Sequence, residues 1–303
     1  MNVFLTGGTG FIGSFLAKKL TEKGHKVTIL TRKIKKGLAL PEGASFLEAD
    51  PRKPGTWQRE VVKNEVIINL AGESIFTLWT RKKKKEIFNS RILTTRNIVE
   101  ALKNRKGKAT YLLSASAVGY YGFHGDGALA ENDQAGNDFL ARVASAWELE
   151  ALKAKDYGVR VTLCRIGMVL GKHGGALPKM VPIFKCYLGT PLGSGKQWIS
   201  WIHEEDLSNI ILFILEHKNL EGPVNFTSPN PIRNEQLTKV LGEVLQKPTF
   251  LPPIPKFTLK ILLGELADLL INGQRVIPKR LLDNGFQFKF PFIKEALESL
   301  LQT

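Results

Sequence analysis

Four glycines near the start of the chain are spaced for phosphate chemistry. Thr6-Gly7-Gly8-Thr9-Gly10-Phe11-Ile12-Gly13 satisfies G-x-x-G-x-x-G at 7, 10 and 13, and G-x-G-x-x-G at 8, 10 and 13. Such a run needs one glycine for a tight turn and one to let backbone amides approach a pyrophosphate. A third, Gly13, lets the following helix pack against the strand. The helix N-terminus then offers unpaired N–H groups and a positive dipole end to the anion. Spacing alone is a weak signal. Here it follows the apolar Asn2–Thr6 and opens a helical pattern, the context of a first strand–helix–strand unit. Gly7, Gly8, Thr9, Gly10, Phe11, Ile12 and Gly13 are therefore expected to hold a dinucleotide.

The choice of dinucleotide is read at the end of the second strand. An NAD site places Asp or Glu about 20 residues beyond the turn, to accept from the ribose 2′-hydroxyl. This chain has Leu30-Thr31-Arg32-Lys33 there, and no carboxylate between Glu22 and Glu42. Arg32 can pair with a 2′-phosphate and Thr31 can donate to it, which points to NADP(H); a plain surface cation is the alternative for Arg32. Asn69-Leu70-Ala71-Gly72 follows another apolar run. Its small residues suit the crevice outside the strand ends, although Ala71 and Gly72 also fit simple packing.

The elements that must position these residues alternate through the first two thirds. Phe11–Lys23 carries apolar residues at helical spacing before Gly24, a residue suited to a left-handed helix end. Lys26–Thr31, Val66–Leu70, Thr110–Ser114, Val159–Arg165 and Val224–Thr227 read as buried strands, and Ser200–His217 as a strand end followed by a helix. Repetition of this kind predicts an α/β fold: a Rossmann-type doubly wound parallel sheet with helices on both faces. After Gly171 a Gly/Pro-punctuated stretch predicts a long functional loop with one short helix, and the tail from Pro231 is mostly helical. The expected division is a nucleotide-binding domain over 1–171 plus about 200–228. The remainder, about 172–199 plus 229–303, forms a small, mainly helical substrate-side segment.

Together the glycine turn, Asn69–Gly72 and Ser114-Ala-Ser-Ala-Val-Gly-Tyr-Tyr-Gly122 resemble the extended short-chain dehydrogenase/reductase superfamily. Trp147-Glu148, Arg165-Ile-Gly-Met-Val-Leu-Gly171, Gly193-Ser-Gly195, Trp201-Ile-His-Glu-Glu-Asp-Leu207 and Gly273-Gln-Arg-Val-Ile-Pro278 narrow the resemblance. They are similar to an atypical NAD-dependent epimerase/dehydratase-like branch with a DUF1731-type C-terminal segment. The resemblance implies an NADP(H) site on the Gly7–Gly13 turn, Thr31, Arg32, Leu70 and Ala71. It also implicates Glu86, Arg91 and Arg165, the two arginines as donors to phosphate or ribose. Glu86 equally suits an exposed pair with Lys82 or Lys83.

Active members of that superfamily use Ser/Thr with a Tyr-x-x-x-Lys pair. The ammonium lowers the phenol pKa so that it exchanges a proton as hydride moves. Ser116 matches the serine. No lysine stands four residues beyond Tyr111, Tyr120, Tyr121, Tyr157 or Tyr187, and the helix pattern from Phe139 carries no phenol. Ser116, Tyr120 and Tyr121 remain the catalytic candidates, with packing or a substrate wall as the alternative for the tyrosines. Arg142 is a candidate for the lost cation, and His203 with Asp206 is expected to make a helix-start contact.

Composition bounds the rest. The 303 residues are 43% hydrophobic, without an apolar run of the ~20 residues a membrane helix needs. Met1 leads straight into an apolar stretch with no secretory pattern, so a cytoplasmic protein is expected. Cys164 and Cys186 lie in apolar contexts without metal spacing, which predicts two core fillers and no metal. The formal charge of +15 gathers in runs such as Arg32–Lys36 and Arg81–Lys85, read as solvated faces around an anionic cofactor. Polyanion binding is the alternative, and nucleic acid is not the expected partner. The expected function is an epimerase-like oxidoreductase for an unidentified small molecule. A non-catalytic NADP(H)-binding regulator acting through a protein partner stands as the second reading.

Overall fold

The computed structural model describes residues 1–34, 37, 40–105, 107, 110–217 and 220–302; Lys35 and Lys36 of the first basic run lie outside them. Seven strands form the central sheet: β1 (Asn2–Thr6), β2 (Lys26–Thr31), β3 (Ala44–Glu48), β4 (Val66–Asn69), β5 (Tyr111–Ala117), β6 (Arg160–Ile166) and β7 (Gly222–Phe226). They lie side by side as β7-β6-β5-β4-β1-β2-β3, every pair parallel. The chain runs outward from β1 to β3 and then returns to β4 on the other side of β1. The order reverses there, so a crevice opens beyond the carboxyl ends of β1 and β4.

Eleven α-helices stand among the described residues: α1 (Phe11–Glu22), α2 (Gln58–Val61), α3 (Arg81–Leu102), α4 (Phe139–Leu152), α5 (Leu177–Lys185), α6 (Glu204–Glu216), α7 (Asn234–Leu245), α8 (Lys256–Leu263), α9 (Leu266–Ile271), α10 (Lys279–Asp283) and α11 (Ile293–Leu301). Alternate strand residues face opposite layers. Val3, Leu5, Val27, Ile29 and Ile68 pack under Leu16 and Leu20 of α1 and Ile210 and Ile214 of α6. Phe4, Leu30, Ile67 and Leu112 pack under Ile98 and Leu102 of α3 and Ala151 of α4. Both faces are thus covered, as an all-parallel sheet requires. Gly24 follows α1 at φ +76°, the left-handed end its position predicts. The strand with no counterpart in the sequence reading is β3, a half-buried edge strand whose five residues show no clear alternation.

The stretch after Gly171 holds one helix, α5. Its Leu177 and Phe184 join Leu237 and Leu241 of α7 and Ala296, Leu297 and Leu300 of α11 in a separate core. Leu281 and Phe286 of the tail reach back instead into the core beneath α1 and α6. Cys164 is buried in β6, but Cys186 is exposed, against the expectation of two core fillers. It caps the C-terminus of α5, where the amphipathic helix has already turned its apolar face inward.

Candidate active site

The glycine turn joins β1 to α1 against the end of β4. Gly7, at φ +73°, accepts a bond from Gly10 N at 3.0 Å, and a Cβ on Gly7 would lie 2.7 Å from the Leu70 carbonyl carbon. A Cβ on Gly13 would lie 2.2 Å from Gly7 O, so α1 reaches the turn only because this residue has no side chain. Gly10 caps α1 without a side-chain bond, and the first turn holds no acidic residue. The N–H groups and dipole of α1 are therefore left for an anion. Leu70 and Ala71 come up against the turn, and the Asn69 side chain fixes this corner: it accepts from Thr6 Oγ1 at 2.7 Å and donates to Thr95 Oγ1 at 2.9 Å.

Thr31 is buried at the end of β2 and donates to Lys33 O at 3.2 Å. Arg32, next along, is exposed. Two carboxylates face it without pairing. Asp50 is held below the usual carboxylate range chiefly by hydrogen bonds from Arg52, with Arg32 adding at longer range. Glu73 is lowered chiefly by Lys83, and again by Arg32 and Arg52. Arg32, Arg52 and Lys83 thus ring the outer end of the crevice. Arg52 went unread in the sequence because it follows β3, the strand whose pattern is weakest.

Of the residues the family resemblance implicates, Glu86 sits in a surface pair, accepting from Lys83 Nζ at 3.2 Å, while the same ammonium reaches Glu73 at 2.9 Å. Arg91 lies under Gly72: its Nη1 donates to the carbonyls of Glu73 and Ile87, each at 3.0 Å, and its guanidinium faces the Trp147 ring. Burial lowers its pKa to about 10. The basic run at the start of α3 is more engaged than a solvated face: Lys84 pairs with Glu265 and lies over the Phe139 ring.

Around Ser116, which matches the superfamily's serine, this chain builds a buried polar network. Ser116 Oγ donates to Glu148 Oε1 at 2.6 Å. The same carboxylate takes Arg165 Nε and Nη2, both at 2.9 Å, in a fork-to-fork pair that is almost wholly buried. Arg165 Nη1 donates to Tyr121 Oη at 2.9 Å and to Glu131 O at 3.0 Å; Tyr121 donates in turn to Asn225 Oδ1 at 2.7 Å. Glu131 caps the far end through the backbone N–H groups of Asn225 and Arg280, and burial raises its carboxyl pKa. Three expectations change. Arg165 spends its donors on protein partners rather than turning them to a phosphate or ribose. Tyr121 is fully buried and pushed up to about 12 by that burial, too weak an acid for proton exchange. Ser116 is committed to the Glu148 carboxylate. Glu148 was quoted in the sequence without a role; a carboxylate on the inward face of α4 was the available signal.

Tyr120 differs. It is half-buried, its ring lies 3.5 Å from the Arg165 guanidinium carbon, and its hydroxyl has no partner among the described residues. Arg142 is exposed and its Nη1 donates to Asn137 O at 2.5 Å. His203 caps α6, its Nδ1 accepting from Glu205 N at 3.0 Å, and burial lowers its pKa to about 4. Asp206 accepts from the backbone N–H groups of Lys289 and Phe290 at 2.8 and 2.9 Å, tying α6 to the tail. His203 makes the helix-start contact its position suggested, whereas Asp206 departs from that expectation and holds the tail instead. No group of metal-ligating side chains stands among the described residues, and no helix there is long and apolar enough to cross a membrane.

Comparison with known proteins agrees with this geometry. The model of the NAD dependent epimerase/dehydratase family matches residues 3–226, and that of DUF1731, a domain of unknown function, matches 254–300. The chain is 44% identical to the epimerase family protein SDR39U1 homolog, chloroplastic, of Arabidopsis thaliana, covering 100% of this chain and 87% of that protein. It is 38% identical to the epimerase family protein YfhF of Bacillus subtilis, over 99% and 98% of the two chains. The crystal structure of human epimerase family protein SDR39U1 (isoform 2) with NADPH superposes with a TM-score of 0.87 at 30% identity, over 100% of both chains. A matching family model over most of the chain, full-length relatives and a Rossmann sheet with its glycine turn place it together: this protein belongs to the NAD dependent epimerase/dehydratase family.

Proposed function

We propose that the chain is an NADPH-dependent oxidoreductase for a small molecule, with Tyr120 as the group that exchanges the proton. The residues fit the cofactor. The close-packed Gly7 and Gly13 leave a cradle at the uncapped end of α1 for the pyrophosphate, and Arg32, without an ion-pair partner among the described residues, suits the 2′-phosphate. When bound, NADPH supplies hydride. The observation that carries the reading is Tyr120 laid on Arg165, with its hydroxyl free of partners among the described residues. Arg165, itself held by Glu148, stacks on the ring and fixes its position, so the phenol is oriented by a buried arginine where Tyr-x-x-x-Lys members carry a lysine. Turnover of NADPH with a panel of small carbonyl compounds tests this. Tyr120→Phe is expected to lower kcat by about 10²–10⁴-fold while leaving NADPH affinity unchanged; wild-type kcat in that variant contradicts the assignment.

A second reading draws on the commitment of Ser116 and Tyr121 to the buried network, which leaves the superfamily's serine without a free proton to donate. Under it the chain holds NADP(H) and reports its redox state to a protein partner. A ligand shifts an equilibrium only by differential affinity. That reading requires NADPH and NADP⁺ to bind with different affinity in a partner-dependent way; equal affinities remove it.

A further inference from the structure

Phe11 is the first residue of α1, directly after Gly10, so its N–H is one of the donors at the open end of the helix. Its side chain leaves the glycine turn and seats in a second cluster of glycines, far along the chain. Gly171 closes the run from Arg165, and Gly174 and Gly175 follow it at the head of the substrate-side segment. A Cβ on Gly174 would lie 2.2 Å from Phe11 Cγ and Cδ2 and 2.8 Å from Phe11 Cβ. One on Gly171 would lie 2.3 Å from Phe11 Cζ, and one on Gly175 3.1 Å from Phe11 Cε1. The ring fills the room that three missing side chains leave.

The turn is held from its own side. Leu170 and Gly175 form an antiparallel bridge, and Ala176 N donates to Val169 O at 3.2 Å. Met168–Leu170 pairs in parallel with Trp201–His203, and Lys172 N donates to Glu204 Oε1 at 3.3 Å, so the turn is fastened to the start of α6. Gly175 stands at φ +73°, and its Cβ would lie 2.2 Å from Val169 O, a place for glycine alone. Beyond it, Leu177 anchors α5 in the core shared with α7 and α11. A push at Gly174 is thus passed to Phe11 rather than absorbed by the turn. Phe11 Cβ is among the struck atoms and no side-chain rotation moves it, so the backbone that begins α1 must shift.

We propose that Phe11 is a positioning residue of the dinucleotide site, through which the Gly171–Gly175 turn sets the N–H donors of α1 against the pyrophosphate. The inference rests on the reading that α1 holds NADP(H), and adds that part of the site's geometry is set from the substrate-side segment. The dependence is mutual, because a coupling free energy between two sites acts equally in both directions. A dinucleotide seated on α1 steadies the turn that leads into α5.

The test uses the full chain and NADPH itself. Fluorescence titration of Gly174→Ala is expected to show NADPH affinity at least about tenfold below that of the wild type. Phe11→Ala removes the ring atoms struck at 2.2 Å and leaves only Cβ at 2.8 Å. The double variant is therefore expected to recover at least about threefold in affinity over Gly174→Ala. A residue that only packs gives a different pattern: each substitution lowers the urea midpoint, and the second restores no affinity. Hydrogen exchange is the second readout. Saturating NADPH is expected to slow the amides of residues 171–176 in the wild type and to leave them unprotected in Phe11→Ala. Wild-type affinity in Gly174→Ala, or a double variant that binds no better than the single one, overturns the proposal; so does exchange over 171–176 that NADPH leaves unchanged. Should Gly174→Ala fail to fold, the exchange measurements on the wild type and Phe11→Ala decide. A wild type that binds no NADPH removes the cofactor reading itself, whereas bound NADPH without these effects removes only the coupling.

Discussion

Gly13 and Glu148 each hold separate elements together, one by lacking a side chain and the other through its carboxylate. A methyl at Gly13 would stand 2.2 Å from Gly7 O, which is backbone and cannot swing aside. Gly13→Ala must open the turn; overpacking of this kind costs about 1–3 kcal/mol. Urea unfolding is expected to show that loss, together with weakened NADPH binding. Glu148→Gln leaves the buried Arg165 guanidinium without its counter-charge, a defect worth about 3–5 kcal/mol. A melting temperature equal to that of the wild type would contradict the network as described. His203 gives a pH signature. Burial holds its folded pKa at about 4, below the ordinary histidine value of 6.5, so the folded state prefers the neutral ring that caps α6. A depressed folded pKa contributes stability that is whole above the unfolded value and is lost as pH falls toward the folded one. The loss therefore develops between about pH 6.5 and 4 and approaches about 3 kcal/mol at its end. Urea unfolding of the wild type and His203→Asn at both ends of that window checks this: the wild type's advantage at neutral pH should shrink on acidification. An advantage that does not change with pH contradicts it.

At the level of elements, the chain shows which patterns translate into structure and which do not. Six of the seven sheet strands and α1 follow from apolar runs and helical spacing, because β-strands covered on both faces must be apolar throughout. β3 escaped because an edge strand is half-exposed and its five residues need not alternate. The glycine turn was legible because steric demand admits one residue type. The network around Arg165 was not, since Ser116, Tyr121, Glu131, Glu148 and Asn225 come from separate elements and meet only when β5, β6, β7 and α4 assemble. Spacing along the chain carries no trace of that meeting. Asp206 offers an element-level test, because its carboxylate is the acceptor for two backbone donors of the tail. Asp206→Ala is expected to free residues 286–301 to exchange amide hydrogens faster, while β1 and β4 keep their protection. Unchanged exchange in the tail would show that the α11 core alone holds it.

Across the whole molecule, the reversed strand order opens a crevice beyond the carboxyl ends of β1 and β4, in a chain of formal charge +15. The uncapped end of α1, Arg32, Arg52 and Lys83 make its length favourable to a molecule with anions at both its middle and its end. A surplus of charge raises the local concentration of anions without selecting among them; under the proposed function, selection falls to Arg32. Fluorescence titration of the protein with NADPH and with NADH, repeated on Arg32→Glu, tests this most directly. NADPH is expected to bind at least about tenfold tighter than NADH, with the preference abolished or reversed in the variant. Equal affinity for the two nucleotides in the wild type, or a preference untouched by Arg32→Glu, would contradict the account.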